Sequence, residues 1–308
     1  MSDQSGPAVK TRMIDANGLS FEVDCCEPGT GTTPRAALAL CLHEFPELNY
    51  SWRHQLPVLA ALGYDVWAPN LRGYGNTSRP EGVDAYSVDH LMADVAGLID
   101  ASGHTDVLLI GHDWGAVIAW LFATREVRPL TQMVIINVPH PACMAAAMTA
   151  RQLRRSWYML MFQLPLLPEM FLRRIGAGRL IRSSSTPGAI SRRDAAVYDD
   201  NSARPGAATA MINYYRALLW GGDAKAQARL GYGRIDTPTL MLWGEDDVAL
   251  GKETTVGTER YVADLTLRYL PRVSHWAQQD VPDVVNAMIS AFVSHEPVPQ
   301  MRWRPILE

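Results

Sequence analysis

The chain has only four cysteines, at positions 25, 26, 41 and 143. Their spacing fits neither a zinc-ligand pattern nor a disulfide framework, so no structural metal or oxidising compartment is expected. Long apolar runs are missing too. Ala36–Leu42 is too short to span a bilayer, and the polar start MSDQSGPAVK lacks the core of a signal peptide. The expectation is a cytoplasmic protein with no membrane span. An excess of positive charge is also absent. With 28 Lys and Arg against 32 Asp and Glu, the net charge of −4 offers nucleic acid no global attraction. No internal repeat is visible. The apolar share of 48% over 308 residues supplies a sizeable core, and the length suits about two domains or one with a large insertion.

Read in order, the first ten residues look like a disordered leader, and Met13–Cys26 reads as a hairpin around Asn17-Gly18. Apolar strands are expected at 36–42, 65–69, 107–110 and 133–136, with helices over 52–62 and 88–99. Such alternation predicts an α/β protein with a mostly parallel sheet flanked by helices. After Pro141 the texture changes. Residues 142 to about 235 carry few strand signals and read as a helical insertion following the sixth strand. Alternation returns with strands at 239–243 and 266–269 and helices at 253–262 and 281–293. This divides the chain into core (1–138), helical cap (139–235) and core again (236–308). The stretch 151–193 holds nine arginines and one acid, Glu169, and reads as solvated helix faces. The tail, with Trp303, Ile306 and Leu307, could pack on the body or on a second copy, so a homo-oligomer is possible.

The rest of the chain is organised around Val107–Ala123. Four apolar residues lead into Gly111-His112-Asp113-Trp114-Gly115 and then a helix-compatible run. Strand, Gly-x-nucleophile-x-Gly, helix is the pattern of a nucleophile elbow. The glycines let strand and helix backbones approach closely, and the middle residue is lifted above the sheet. That residue is Asp113, and this choice decides the chemistry. A carboxylate is already ionised at neutral pH. It attacks amides and esters poorly but can displace a leaving group from saturated carbon, giving an alkyl-enzyme ester. An epoxide or an alkyl halide is the matching electrophile.

Such an ester needs a base to activate water, and the base needs an acid to orient it. In elbow folds these partners follow the nucleophile as acid, then histidine, at the carboxyl ends of strands. Gly244-Glu245-Asp246-Asp247 and Ser274-His275-Trp276 occupy those places. His275 is the base. Asp247 is the favoured acid because its spacing from Gly244 leaves room to turn off the strand; Glu245 and Asp246 compete. The hydrolytic step also needs oxyanion donors, for which the backbone N–H groups of Phe45 and Trp114 are suited.

These residues resemble the α/β-hydrolase-fold epoxide hydrolases over essentially the whole chain. GHDWG around Asp113 is the elbow form of that family, and His43–Glu47 (HEFPE) is similar to its HGxP-type oxyanion loop. The resemblance implies two cap tyrosines that hold and protonate the epoxide oxygen. By similarity these are Tyr158, five residues before Gln163, and Tyr215, just before Arg216, with Tyr214 competing for the second place. A phenol suits the task because epoxide opening creates an alkoxide, a poor leaving group unless protonated. Two positions depart from the pattern: Glu44 replaces the loop glycine, and Asn70 replaces an Asp before the Arg72-Gly73-Tyr74-Gly75 loop.

Phe45, Pro46, Trp114, Met159 and Phe162 are expected to line an apolar site for an aryl or alkyl epoxide, with no metal or organic cofactor. A haloalkane dehalogenase with the same triad, using Trp114 as a halide donor, is the rival enzyme. An inactive hydrolase fold that binds ligand is the rival of another class. A dinucleotide site at Gly73-Tyr74-Gly75 fails because the third glycine of that motif would fall on Ser78.

Overall fold

The computed structural model describes residues 7–301. The tail residues Trp303, Ile306 and Leu307 lie outside them. Strands β1 (Val9–Ala16) and β2 (Leu19–Cys26) form an antiparallel hairpin. Asn17 and Gly18 turn it with φ of 48° and 72°, the left-handed pair that a tight hairpin requires. β1 therefore starts inside the stretch read as a leader. Its side chains are almost all exposed, so the apolar alternation that marks a half-buried strand is missing there.

Six more strands follow: β3 (Ala37–Leu42), β4 (Asp65–Pro69), β5 (Asp106–His112), β6 (Gln132–Ile136), β7 (Thr239–Gly244) and β8 (Leu265–Leu270). The sheet runs β1-β2-β4-β3-β5-β6-β7-β8, and every pair from β4 onward is parallel. The expected mostly parallel α/β-hydrolase sheet is thus present. Successive residues of the buried strands serve opposite faces. Leu38, Leu40, Leu42 and Leu109 join one core, and Ala39, Cys41, Leu108 and Ile110 join the other. All four cysteines are buried and free.

Helices α1 (Leu56–Ala61), α2 (Val88–Ser102) and α3 (Trp114–Thr124) connect the first six strands. The helix read over 52–62 is shorter than expected. A 3₁₀ turn covers Asn49–Trp52, and α1 begins only at Leu56 because Pro57 can sit in a first turn but not in a helix interior. Between β6 and β7 come eight helices: α4 (Pro141–Ala146), α5 (Ala150–Arg155), α6 (Trp157–Met161), α7 (Leu167–Ile175), α8 (Ala177–Ser184), α9 (Arg192–Ala203), α10 (Ala207–Leu219) and α11 (Asp223–Leu230). Eight of the nine arginines in 151–193 are exposed there, as solvated faces require, while Glu169 is buried in an ion pair with Arg216 at 2.7 Å. The helix read over 253–262 is instead two 3₁₀ turns, split at Gly257, where φ is 93°. α12 (Ala277–Asp280) and α13 (Pro282–Val293) close the described chain. Among the described residues, no helix is long and apolar enough to cross a membrane.

The elbow is as tight as its glycines suggest. A Cβ on Gly111 would meet the Gly115 carbonyl at 2.5 Å, and one on Gly115 would meet the Leu42 carbonyl oxygen at 2.2 Å. Both obstacles are backbone and cannot swing aside. Gly115→Ala is therefore expected to destabilise the fold by about 3 kcal/mol or more, at or beyond the top of the usual overpacking range. Denaturant unfolding measures this, and a loss below about 1 kcal/mol would mean that the turn relaxes easily.

Candidate active site

Asp113 is the hinge between β5 and α3, with φ of 40° and ψ of −107°. Left-handed backbone at a non-glycine residue is strained and is held by its surroundings. The Asp113 carbonyl accepts from the Val117 amide at 2.8 Å, and the close approach at Gly111 and Gly115 leaves the turn no alternative. The side chain is left partly exposed to the space above the carboxyl ends of the strands.

Asp247 and His275 arrive at the same place from the ends of β7 and β8. His275 Nδ1 donates to Asp247 Oδ2 at 2.7 Å. The other Asp247 oxygen accepts from the amides of Ala249 (2.7 Å) and Leu250 (2.9 Å), and Asn137 Nδ2 donates to Oδ2 at 2.8 Å. Asn137 is itself fixed by accepting from the Gly244 amide at 3.0 Å. Burial alone would raise the Asp247 carboxyl. The His275 charge and hydrogen bond, with the Leu250 and Asn137 donors, outweigh it and hold Asp247 below its ordinary value. Glu245 is instead paired with Lys252 at 2.7 Å. Of the three acids after Gly244, only Asp247 bonds to His275.

His275 Nε2 points the other way, 3.7 Å from Asp113 Oδ1 and 3.4 Å from Glu44 Oε1. Burial pulls the imidazole pKa down, but Asp247 and then Glu44 raise it well above the ordinary histidine value. The loop below is braced by a buried polar group. His112 Nε2 meets the His275 carbonyl at 2.8 Å, and Gln278 Nε2 donates to His112 Nδ1 at 2.9 Å. Glu47 accepts from Gln278 at 3.3 Å and from Gln279. Glu44, His112 and His275 bring possible ligand atoms within 4.8 Å of one another. Both ring nitrogens of His112 are already engaged, so this group does not offer a free metal-ligand set.

The loop after β3 is held by His43. Its Nε2 accepts from the Leu71 amide at 3.0 Å, which places the ring proton on Nδ1, facing the Glu44 carbonyl at 2.9 Å. Burial lowers His43 to about 3, so it stays neutral and keeps these roles. Among the described residues, the backbone N–H groups of Phe45 and Trp114 have no hydrogen-bond acceptor, although both residues are buried. Asn70 explains its own departure. It accepts from the Asn49 amide at 2.9 Å and donates to Glu22 at 2.6 Å, where an aspartate would set two carboxylates face to face.

A cavity of about 150 Å³ gathers these groups. Glu44, Asp113 and His275 form one side, Tyr158 and Tyr215 another, and Phe45, Pro46, Leu180 and Trp276 supply apolar walls. Neither the Tyr158 nor the Tyr215 hydroxyl has a protein hydrogen-bond partner among the described residues. Burial comes first among the causes that push both phenols well above their ordinary pKa, and the Asp113 charge adds to it, so they remain donors. Tyr214 is spent elsewhere, donating to the Arg72 carbonyl at 2.9 Å. α6 and α10 are tied together by Gln163, which donates to the Tyr215 carbonyl at 3.3 Å, and by buried Arg216, which donates to the Phe162 and Leu164 carbonyls.

Three expected lining residues stand behind the wall. Trp114 packs edge-on to Tyr215 at 5.2 Å, and Phe162 packs against Phe45 and Tyr215 at 5.2 and 4.8 Å. Met159 is packed against the core. Helical spacing sends residues on either side of Tyr158 away from the cavity. Sequence reasoning missed Asn137, Leu180 and Trp276. Asn137, at the end of β6, was reachable by the same strand-end rule that found His275. A larger open groove of about 750 Å³ lies along Arg179, Arg182 and Arg192, but it contains no nucleophile paired with a base.

A family model described as the alpha/beta hydrolase fold matches residues 40–278. An AB hydrolase superfamily protein, YfhM of Bacillus subtilis, is 33% identical over 293 residues, covering 94% of this chain and 99% of the relative. Mouse (Mus musculus) epoxide hydrolase 4 is 37% identical over 276 residues, covering 84% and 73%. A Vigna radiata epoxide hydrolase mutant superposes with a TM-score of 0.81 at 26% identity, covering 93% of this chain and 99% of that one. The chain belongs to the α/β-hydrolase-fold epoxide hydrolase family.

Proposed function

We propose that the protein hydrolyses an apolar aryl or alkyl epoxide to a vicinal diol through a covalent ester on Asp113. The observation that carries this reading is the pair of phenols, Tyr158 and Tyr215, that have no hydrogen-bond partner among the described residues and line one small cavity with Asp113 and His275. An alkyl halide needs no proton as its bond breaks, whereas an epoxide does. The relatives named above support the same substrate class. Residues 139–235 act as the cap that carries the phenols and shields the ester from bulk water. The four buried free thiols suit a reducing, cytoplasmic setting.

Tyr158 and Tyr215 grip the epoxide oxygen. Asp113 attacks a ring carbon, the C–O bond breaks, and a phenol protonates the departing oxygen. His275, oriented by Asp247, then takes a proton from water, whose oxygen bonds to the Asp113 carboxyl carbon. The Phe45 and Trp114 amides hold the oxyanion, where one such donor is worth about 10²–10³ in rate. As the acyl bond breaks, His275 gives that proton to the alkyl oxygen, the diol leaves, and the proton left on the Asp113 carboxyl returns to the phenolate.

The test is turnover of styrene oxide beside a bromoalkane of similar size. Diol formation without halide release is expected. Halide release with no diol would move the assignment to a dehalogenase, and binding without turnover of either would leave a ligand-binding protein.

A further inference from the structure

One buried acid at the cavity has no part in those steps. Glu44 lines the cavity beside Asp113, and its Oε1 is sealed from solvent with no hydrogen-bond partner among the described residues. A buried carboxylate oxygen left bare is unfavourable, so packing alone does not account for it. This oxygen lies 3.4 Å from His275 Nε2 and 3.8 Å from His112 Nδ1. We propose that Glu44 is a positioning residue of the hydrolytic half-reaction: its carboxylate beside His275 stabilises the proton that His275 takes from the attacking water. The proposal rests on the ester mechanism above.

The geometry leaves His275 facing the cavity with Glu44 at its side. His275 Nε2 lies 3.4 Å from Glu44 Oε1 and 3.7 Å from Asp113 Oδ1. These gaps are too long for good direct hydrogen bonds, so neither carboxylate takes up the Nε2 position that must meet the water. The charged and titratable groups that face Glu44 come from every side. Asp113 and His112 belong to the elbow, Glu47 to its own loop, and His275, with Asp247 behind it, to the loop after β8. Tyr158 and Tyr215 come from α6 and α10, and Tyr74 from the loop after β4.

Esterification changes this balance. In the free protein, burial first and the Asp113 charge second push the Glu44 pKa up, while the His275 charge beside it pulls it down. Ester formation removes the Asp113 charge. Relieved of that like charge, Glu44 is favoured as the carboxylate beside His275, and the tyrosine that protonated the epoxide oxygen is left as a phenolate. When water attacks, its proton goes to His275 Nε2, and the resulting imidazolium lies between Asp247 and Glu44. The alkyl oxygen leaves Asp113 with the proton from His275. Asp113, released as a carboxylic acid, returns its own proton to that phenolate. Epoxide plus water gives diol, and every group regains its starting state.

The experiment is single-turnover ester formation and decay with styrene oxide across the neutral pH range, followed by intact mass. Wild type, Glu44→Gln and Glu44→Gly are compared after circular dichroism has checked folding. Ester formation in both variants is expected to stay within a few-fold of wild type. Ester decay at its high-pH plateau should fall by about tenfold or more. Its inflection should move to lower pH, because His275 loses a negative neighbour that raises its pKa. Decay within about twofold of wild type in both variants, with an unmoved inflection, would overturn the proposal. A wild type that makes diol without any ester would instead overturn the parent mechanism.

Discussion

Replacing His275 by glutamine is expected to leave ester formation almost intact and to stop turnover after one event. Asp113 needs no base to attack, since a carboxylate is already ionised at neutral pH. The second half-reaction does need one, because water is a poor nucleophile toward an ester until a proton is removed. General-base catalysis of this kind is worth about 10²–10⁴-fold, and glutamine cannot supply it. The substrate should therefore appear as one covalent equivalent per protein, with diol release slowed by that factor. In wild type, ester decay should rise with pH. The Asp247 and Glu44 neighbours raise His275, so its base form accumulates only above the ordinary histidine range. Unchanged steady-state turnover in His275→Gln would remove His275 from the mechanism, whatever its distance from Asp113.

The double change Tyr158→Phe with Tyr215→Phe is expected to suppress the first half-reaction instead. Without a phenol the opening epoxide must expel a bare alkoxide in a largely dry cavity, and the loss should again be about 10²–10⁴-fold. Each single change should cost less than half of this on a logarithmic scale, because the remaining phenol still reaches the oxygen. The fold should tolerate the change. Neither hydroxyl has a protein hydrogen-bond partner among the described residues, so its removal leaves no orphaned donor or acceptor, and the unfolding midpoint should barely move. Ester accumulation measured by rapid quench separates the outcomes. A double variant that forms the ester at the wild-type rate would make the tyrosines packing residues only.

Much of this architecture is written in short-range patterns. Gly111 and Gly115 are legible because a strand and a helix cannot approach so closely with side chains there. The order of acid and histidine is legible because each follows an apolar strand, and parallel strands deliver their ends to one edge. Other features depend on partners distant in sequence. β1 has little apolar alternation because it is an exposed edge strand, paired on one side only with β2. The stretch 253–262 has helical composition, but Gly257 breaks it into two turns. Met159 and Phe162 flank Tyr158 in sequence, and only packing against Phe45 and Tyr215 decides that Phe162 backs the wall. Glu44 was visible as a departure, but its burial and its bare oxygen beside His275 were not.

The central claim is that the oxygen delivered to the diol comes from Asp113 and not directly from water. A single turnover of an epoxide with excess wild-type protein in heavy-oxygen water tests it most directly. Water attacks the Asp113 carboxyl carbon, so the diol formed in that first turnover should carry no heavy oxygen, and the label should appear in the peptide containing Asp113. Heavy oxygen in the first-turnover diol, with an unlabelled Asp113 peptide, would mean that water opens the epoxide itself and would contradict the account.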